Sequence, residues 1–112
     1  MTSGGADSIP VRVARGAARL DCAQPGWAMR VDVTVLDLQS TTDDLLGQIF
    51  GSHYNGIDTL GLTREASQSH GFYAHCASVD HGCSCDAEYA RLTAEWARVV
   101  TSRQAATAVD RP

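Results

Sequence analysis

The segment HCASVDHGCSCD, residues 75–86, contains three of the chain's four cysteines and two of its four histidines. Thiolates and imidazoles are the side chains that zinc prefers, and a structural zinc site needs about four of them in a tetrahedral arrangement. The segment supplies enough ligands of these types, namely Cys76, Cys83, Cys85 and His81, with His75 as the alternative histidine. A zinc ion held there would fasten the segment to the helix that follows, which is the role expected of a structural metal.

The spacing of these residues leaves other interpretations open. Strong zinc signatures contain two CxxC pairs, or a CxxC pair followed by an HxxxH pair, and neither is present. The alternative is a solvent-exposed loop with a buried Cys76 and two incidental thiols. A redox role is a weaker hypothesis, because Cys83-Ser84-Cys85 lacks the CxxC spacing and the strand–turn–helix setting of thioredoxin-like enzymes.

Other residue patterns do not indicate catalysis. The chain has no GxSxG turn and no phosphate-binding loop, so we expect a non-enzymatic protein without a cofactor other than the hypothetical zinc. Its net charge is −4, which argues against a general binder of nucleic-acid phosphates. A face of the first helix that carries Arg12, Arg15 and Arg19 leaves weak nucleic-acid binding as a further hypothesis, although such a face is more commonly just solvated.

Two helices are predicted at the ends of the chain. DSIPVRVARGAARLD (residues 7–21) begins with Asp7 or Ser8 as the N-cap, has Pro10 in its first turn, and is followed by a Pro25-Gly26 turn. AEYARLTAEWARVVTSR (residues 87–103) follows Ser84 or Asp86 as the cap. The members of its apolar stripe recur at helical spacing: Tyr89, Leu92, Trp96, Val99 and Val100.

A third helix is predicted over STTDDLLGQIFGSHYNG, residues 40–56, between Thr41 or Thr42 as the cap and a closing Asn55-Gly56 turn. This assignment places His53 at the negative end of the helix, where a capping or half-buried role is more common than that of a catalytic base. Gly47 and Gly51 lie four residues apart on it and predict a surface of close approach. Such a surface usually packs within the chain, and a homodimer contact is the alternative.

A short two-stranded ribbon is the only β-structure that the sequence suggests. Val31, Val33 and Val35 alternate with polar residues, which predicts a strand over residues 30–36, and residues 72–79 are its candidate partner. Trp27 precedes the first strand. Tryptophan in so short a chain is usually core, but an exposed one would be a good interface anchor, so Trp27 joins Gly47 and Gly51 as a candidate interface residue.

Several motifs occur together and in a fixed order: ARGAARLD, PGW, LDL, LLGQIFG, LGL, GF and YARLTAEW. In these motifs the chain resembles a family of small uncharacterised proteins of actinobacteria and their phages and prophages, over roughly residues 11–100. The resemblance implies a cytoplasmic accessory protein of a mobile element, with no catalytic residues to carry over. The chain departs from the family at Asp44, where members often have cysteine, and in its Cys-rich segment, which therefore looks like an elaboration of this chain.

The sequence thus predicts one compact, mainly α domain of three helices, or a small α+β fold, with at most a short two-stranded ribbon. Residues 8–104 would form the domain, between a disordered N-terminus at residues 1–7 and a frayed tail at residues 105–112. No apolar run approaches the roughly 18–20 residues of a membrane span, and no signal peptide is evident, so we expect a cytoplasmic protein. Its expected function is binding, to a protein partner or to itself.

Overall fold

A computed structural model describes residues 8–74 and 85–110 of the 112-residue chain, with side chains for residues 8–74 and 86–107. The helices in this part of the chain are α1 (Ile9–Ala23), a 3₁₀ turn (Trp27–Arg30), α2 (Leu45–Phe50), α3 (His53–Leu60), α4 (Arg64–Ser69) and α5 (Cys85–Asp110). Three of the α-helices have seven or more residues, and the predicted mainly α fold is confirmed.

The first helix forms as its sequence predicts. The Ser8 hydroxyl accepts a hydrogen bond from the backbone N–H of Val11, which satisfies a donor that the first helical turn leaves without a partner. Pro10 occupies the first turn, where its missing N–H costs nothing. The helix ends before the Pro25-Gly26 turn, in which Gly26 has the positive φ of +81° that glycine tolerates best.

The predicted ribbon is wrong for the residues that the structure describes, none of which forms a strand. The Asp32 carboxylate accepts hydrogen bonds from both the backbone N–H and the hydroxyl of Thr34, at 2.9 and 2.6 Å. This local Asx turn bends the chain over residues 33–35, so Val31 is buried while Val35 is half exposed. The alternation of valines therefore reflects a turn. Of the proposed partner segment, residues 72–74 are irregular and residues 75–79 lie outside the described part of the chain.

The segment 40–56 is predicted as one helix but contains two, because the backbone leaves the helical conformation at Gly51 and Ser52. Gly51 has φ +98° and ends α2, and the Ser52 hydroxyl then caps α3 through the N–H of Asn55. The predicted closing residue Gly56 lies inside α3, where an added Cβ would come within 2.6 Å of the Cβ of Leu46. The helix ends instead at Gly61, which has φ +67°.

Of the remaining helices, α4 is not predicted from the sequence and α5 is longer than predicted. The polar stretch 63–69 forms α4, which Thr63 caps through the N–H of Ala66. Helix α5 continues to Asp110, beyond the position near Gln104 where the sequence suggests fraying. Leu92, Trp96 and Val100 form the fully buried part of its predicted stripe.

Trp96 lies at the centre of the hydrophobic core. Its indole ring stacks on Phe72 at a centroid distance of 5.4 Å and meets the edge of Trp27 at 5.9 Å. The indole N–H donates to the carbonyl of Gly71 at 2.7 Å, so this fully buried side chain has no unsatisfied polar atom. Helix α1 approaches the same ring through Gly16.

The Arg12 side chain is buried and joins three parts of the chain to α1. Its guanidinium group pairs with the Glu88 carboxylate of α5 at 2.9 Å. It also donates to the carbonyls of Gln68 and Tyr73, at 2.8 and 2.9 Å. A buried guanidinium group is tolerated only where its N–H donors have acceptors. The Nε, Nη1 and Nη2 atoms of Arg12 each have one.

Replacing Arg12 by Met is expected to lower the free energy of unfolding by about 3–5 kcal/mol, because the variant removes the buried guanidinium group that pairs with Glu88 and donates to the carbonyls of Gln68 and Tyr73. Urea denaturation followed by circular dichroism measures this change. The matched control is Arg98→Met, which removes an exposed guanidinium group, 67% accessible, from an i,i+3 pair with Glu95 and should change stability little. Equal losses in the two variants would contradict the role of Arg12.

Replacing Gly16 by Ala is expected to destabilise the protein by about 1–3 kcal/mol, as overpacked core substitutions do. An added Cβ would lie 2.1 Å from the carbonyl oxygen of His70 and 2.9 Å from the Trp96 ring, which is closer than atoms can pack. Helix propensity alone gives the opposite sign, since alanine is favoured over glycine by about 1 kcal/mol. A gain of stability in the same urea assay would therefore refute the close approach, and Ala18→Gly on the exposed side of α1 calibrates the propensity term.

Candidate binding groove

Asp44 is the N-cap of α2 and is fully buried. One carboxylate oxygen accepts the backbone N–H of Gly47 at 2.7 Å, and the other is bonded to Nδ1 of His53 at 2.6 Å. An ionised carboxylate can only accept hydrogen bonds, so His53 carries the shared hydrogen on Nδ1. Asp44 thereby ties the start of α2 to the start of α3.

His53 occupies the first position of α3, and its predicted place at the negative end of a helix is wrong because α2 and α3 are separate helices. Its side chain is 12% exposed and lies between two tyrosine rings, with centroids 5.4 Å from Tyr54 and 6.0 Å from Tyr73. Nε2 has no hydrogen-bond partner within the described residues. In the neutral ring this nitrogen is an acceptor that a bound molecule can use.

A groove surrounds His53 and consists of two adjoining pockets that share His53, Tyr54 and Tyr73. The larger pocket has a volume of about 260 Å³ and the smaller about 50 Å³. We call this surface the tyrosine groove, because it is lined by all three tyrosines of the chain. The larger pocket is completed by Ile57, Arg64 and Ser67, and the smaller by Leu38, Gln39, Ser40, Thr41 and Tyr89.

The loop on the smaller side of the groove is held to two helices. The backbone N–H of Leu38 donates to the hydroxyl of Thr93 in α5 at 3.0 Å. The carbonyl of Thr41 accepts the N–H of His53 at 2.8 Å. These bonds satisfy backbone groups of an irregular segment, and they fix the loop beside the tyrosine rings.

The three tyrosines differ in exposure. Tyr54 is 71% exposed, whereas Tyr73 and Tyr89 are partly buried and meet edge to face at 6.4 Å. Burial raises the pKa of the Tyr89 hydroxyl above its ordinary value, although a hydrogen bond with the backbone of Ala74 acts in the opposite direction. Tyr89 is therefore a neutral hydroxyl at physiological pH. The groove combines a fixed aromatic floor with one freely accessible ring.

Arg64 supplies the positive charge of the groove. Its guanidinium carbon lies 5.3 Å from the centroid of the Tyr73 ring, and Nη2 donates to the hydroxyl of Tyr73 at 3.4 Å. The side chain is exposed, and it forms no ion pair with an acidic residue in the described part of the chain. None of the described residues that line the larger pocket is acidic.

The predicted interface residues do not form one surface. Trp27 is 1% exposed and packs against Trp96. Gly47 is buried, and the Thr42 carbonyl occupies the space that a Cβ at this position would need. Gly51 is exposed and ends α2. Trp27 and Gly47 therefore serve the interior of their own chain, so the prediction that they contact a partner is corrected.

The predicted arginine face is only partly solvated, because Arg15 is exposed, Arg19 is partly buried and Arg12 is buried. Arg12 is buried, Arg15 donates to the carbonyl of Ser69 at 2.7 Å, and Arg19 donates to the carbonyl of Leu60 at 2.7 Å. Each guanidinium group has an acceptor near the C-terminal end of α3 or α4. The interpretation that these charges fasten α1 to the short helices explains them without nucleic acid.

The zinc hypothesis concerns residues that the structure does not describe. Cys76, Cys83, His81 and the alternative His75 lie in the interval 75–84, and only the backbone of Cys85, the first residue of α5, is described. Among residues 8–74 and 86–107 no group of three or more potential ligands is placed to hold a metal ion. The hypothesis stays a prediction.

The residues of the tyrosine groove were missed as a site at the sequence level. Asp44 and His53 are nine residues apart, which is no helical or strand period. Tyr54 and Tyr89 lie in α3 and α5, and Tyr73 lies in the irregular segment after α4. One local signal is present. Asp44 directly precedes the apolar run of α2, which is typical of an N-cap.

Replacing Asp44 by Ala is expected to lower the free energy of unfolding by about 2–4 kcal/mol, which is more than the loss of an ordinary helix cap. The variant removes the cap of α2 and also the hydrogen bond that holds His53. Thr63→Ala is the matched control, since Thr63 caps α4 through one bond and should cost about 1 kcal/mol. Equal losses in urea denaturation would show that the bond to His53 contributes no stability.

Comparison with known proteins gives no match, whether to a family model, a curated protein or a solved structure. The resemblance to small actinobacterial and phage proteins therefore stays a prediction. Within the described residues, no helix is both long enough and apolar enough to cross a membrane. What the groove does must accordingly be argued from its own geometry.

Proposed function

We propose that the protein is a small non-enzymatic binding module that contacts a protein partner through the tyrosine groove. The observation that carries this proposal is the gathering of all three tyrosines and Arg64 around one concave surface. Tyrosine and arginine are enriched among the residues that dominate binding energies. A tyrosine ring offers a large contact area, and it loses little side-chain entropy when it is covered.

The local chemistry supports binding more than catalysis. The Asp44–His53 pair has the geometry of a carboxylate that orients a base, but the hydroxyl beside it in the larger pocket is otherwise engaged. Ser67 is buried and donates to the carbonyl of Thr63 at 2.8 Å. We therefore assign the pair a positioning role, in which Asp44 fixes the orientation of the His53 ring.

The cellular setting is proposed on the resemblance alone. We place the module in the cytoplasm, as an accessory protein of phage or prophage type. A zinc-stabilised form of the same module remains the alternative for residues 75–85, and self-association remains the alternative to a separate partner.

The proposal predicts that Tyr54→Ala loses its partner without losing its fold. The side chain is 71% exposed, so truncation should leave the circular dichroism spectrum and urea midpoint unchanged. In a quantitative affinity pull-down from an actinobacterial lysate, recovery of the partner should fall roughly tenfold or more, as for the removal of a central contact residue.

The control variant is Met29→Ala, which truncates another exposed side chain, 57% accessible, within the 3₁₀ turn and outside the groove. Recovery with this variant should equal that with the wild type. A partner that binds wild type and Tyr54→Ala equally, or that is lost equally with both variants, would overturn the proposal that the groove is the binding surface.

A further inference from the structure

We infer that the larger pocket of the tyrosine groove binds an acidic residue within a peptide segment of the partner protein. This inference rests on the proposed function and adds the chemistry that selects the partner. Three features of the pocket carry it: the positive charge of Arg64, which forms no ion pair with any described residue, the Nε2 atom of His53 and an apolar wall.

The charge is that of Arg64. Its side chain lines the pocket, and Nη2 donates to the hydroxyl of Tyr73 at 3.4 Å. Contact with the Tyr73 ring reduces the freedom of the guanidinium group before anything binds. The chain as a whole is acidic, with a net charge of −4, so a local positive charge at this position stands out from the average charge of the chain. A guanidinium fork is well suited to a carboxylate.

The acceptor is Nε2 of His53. The Nδ1 atom of His53 is committed to the buried carboxylate of Asp44, so when the ring is neutral Nε2 is the acceptor left for a ligand. A backbone N–H of an extended peptide is a suitable donor. A free small carboxylate has no such N–H and would satisfy only Arg64, so the pair of groups favours an acidic residue that is part of a chain.

The apolar wall is formed by Tyr54 and Ile57, which line the same pocket of about 260 Å³. This volume is near the lower end of ligand pockets and suits one side chain with its flanking peptide groups. We therefore expect an aliphatic residue next to the acidic one. It would cover the exposed ring of Tyr54, which is 71% accessible.

The test uses two blocked tripeptides, acetyl-Leu-Glu-Leu-amide and acetyl-Leu-Gln-Leu-amide, which differ in one charge and little in shape. Each is titrated into the full-length protein at low salt, and binding is followed by nuclear magnetic resonance shifts of the backbone amides of α3 and α4. The glutamate peptide should cause saturable shifts at His53, Tyr54 and Arg64, and the glutamine peptide should bind roughly tenfold more weakly.

Two arginine variants assign the charge effect. With Arg64→Gln the two peptides should bind equally weakly, whereas Arg30→Gln, which removes an exposed charge outside the groove, should keep the tenfold preference. Both residues are exposed, so neither substitution is expected to change the urea midpoint. A preference that survives Arg64→Gln would overturn the inference.

The remaining outcomes separate this inference from the proposed function. Equal binding of both peptides, or binding of neither, overturns the acidic-residue inference. The proposed function then still stands if Tyr54→Ala abolishes partner recovery, and it falls if recovery is unchanged.

Discussion

The buried charge of Arg12 is the constraint on which the arrangement of the helices depends. Transfer of a guanidinium group out of water costs several kcal/mol unless its donors are satisfied, and the acceptors come from three different parts of the chain. These are the C-terminal end of α4, the carbonyl of Tyr73 and the Glu88 carboxylate of α5. Because a hydrogen bond demands direction as well as distance, Arg12 fixes how α1, α4 and α5 meet. It also holds the backbone of Tyr73, whose ring belongs to the tyrosine groove.

The groove lies on elements that are too short to be stable alone. Helices α2, α3 and α4 have six, eight and six residues, and isolated helices of this length do not persist in water. Each has its own side-chain cap: Asp44, Ser52 and Thr63. Asp44 has a second role, because the carboxylate that caps α2 also accepts a hydrogen bond from His53 and orients its ring in α3. Local capping and the geometry of the groove are therefore two consequences of one buried carboxylate.

The parts of the fold that local rules determine could be predicted from the sequence. Helix α1 has a capping Ser8 and α5 has an apolar stripe at helical spacing, and both were anticipated. The predictions failed where the structure depends on the backbone conformation of one residue, or on a hydrogen-bond acceptor far away in the sequence. The positive φ of Gly51 divides one expected helix into two, and the burial of Arg12 follows from acceptors more than 50 residues away. The groove belongs to this second class, since it unites tyrosines from separate elements.

The packing of the two tryptophans has an optical consequence. Trp27 and Trp96 are the only tryptophans of the chain, both are almost wholly buried, and their rings lie 5.9 Å apart in one core. Their emission will report the integrity of this core and will respond little to events at the surface. The tyrosines all line the groove. Excitation at the red edge, which only the indoles absorb, therefore follows unfolding of the core, whereas the absorbance of the phenols reports the surroundings of the groove.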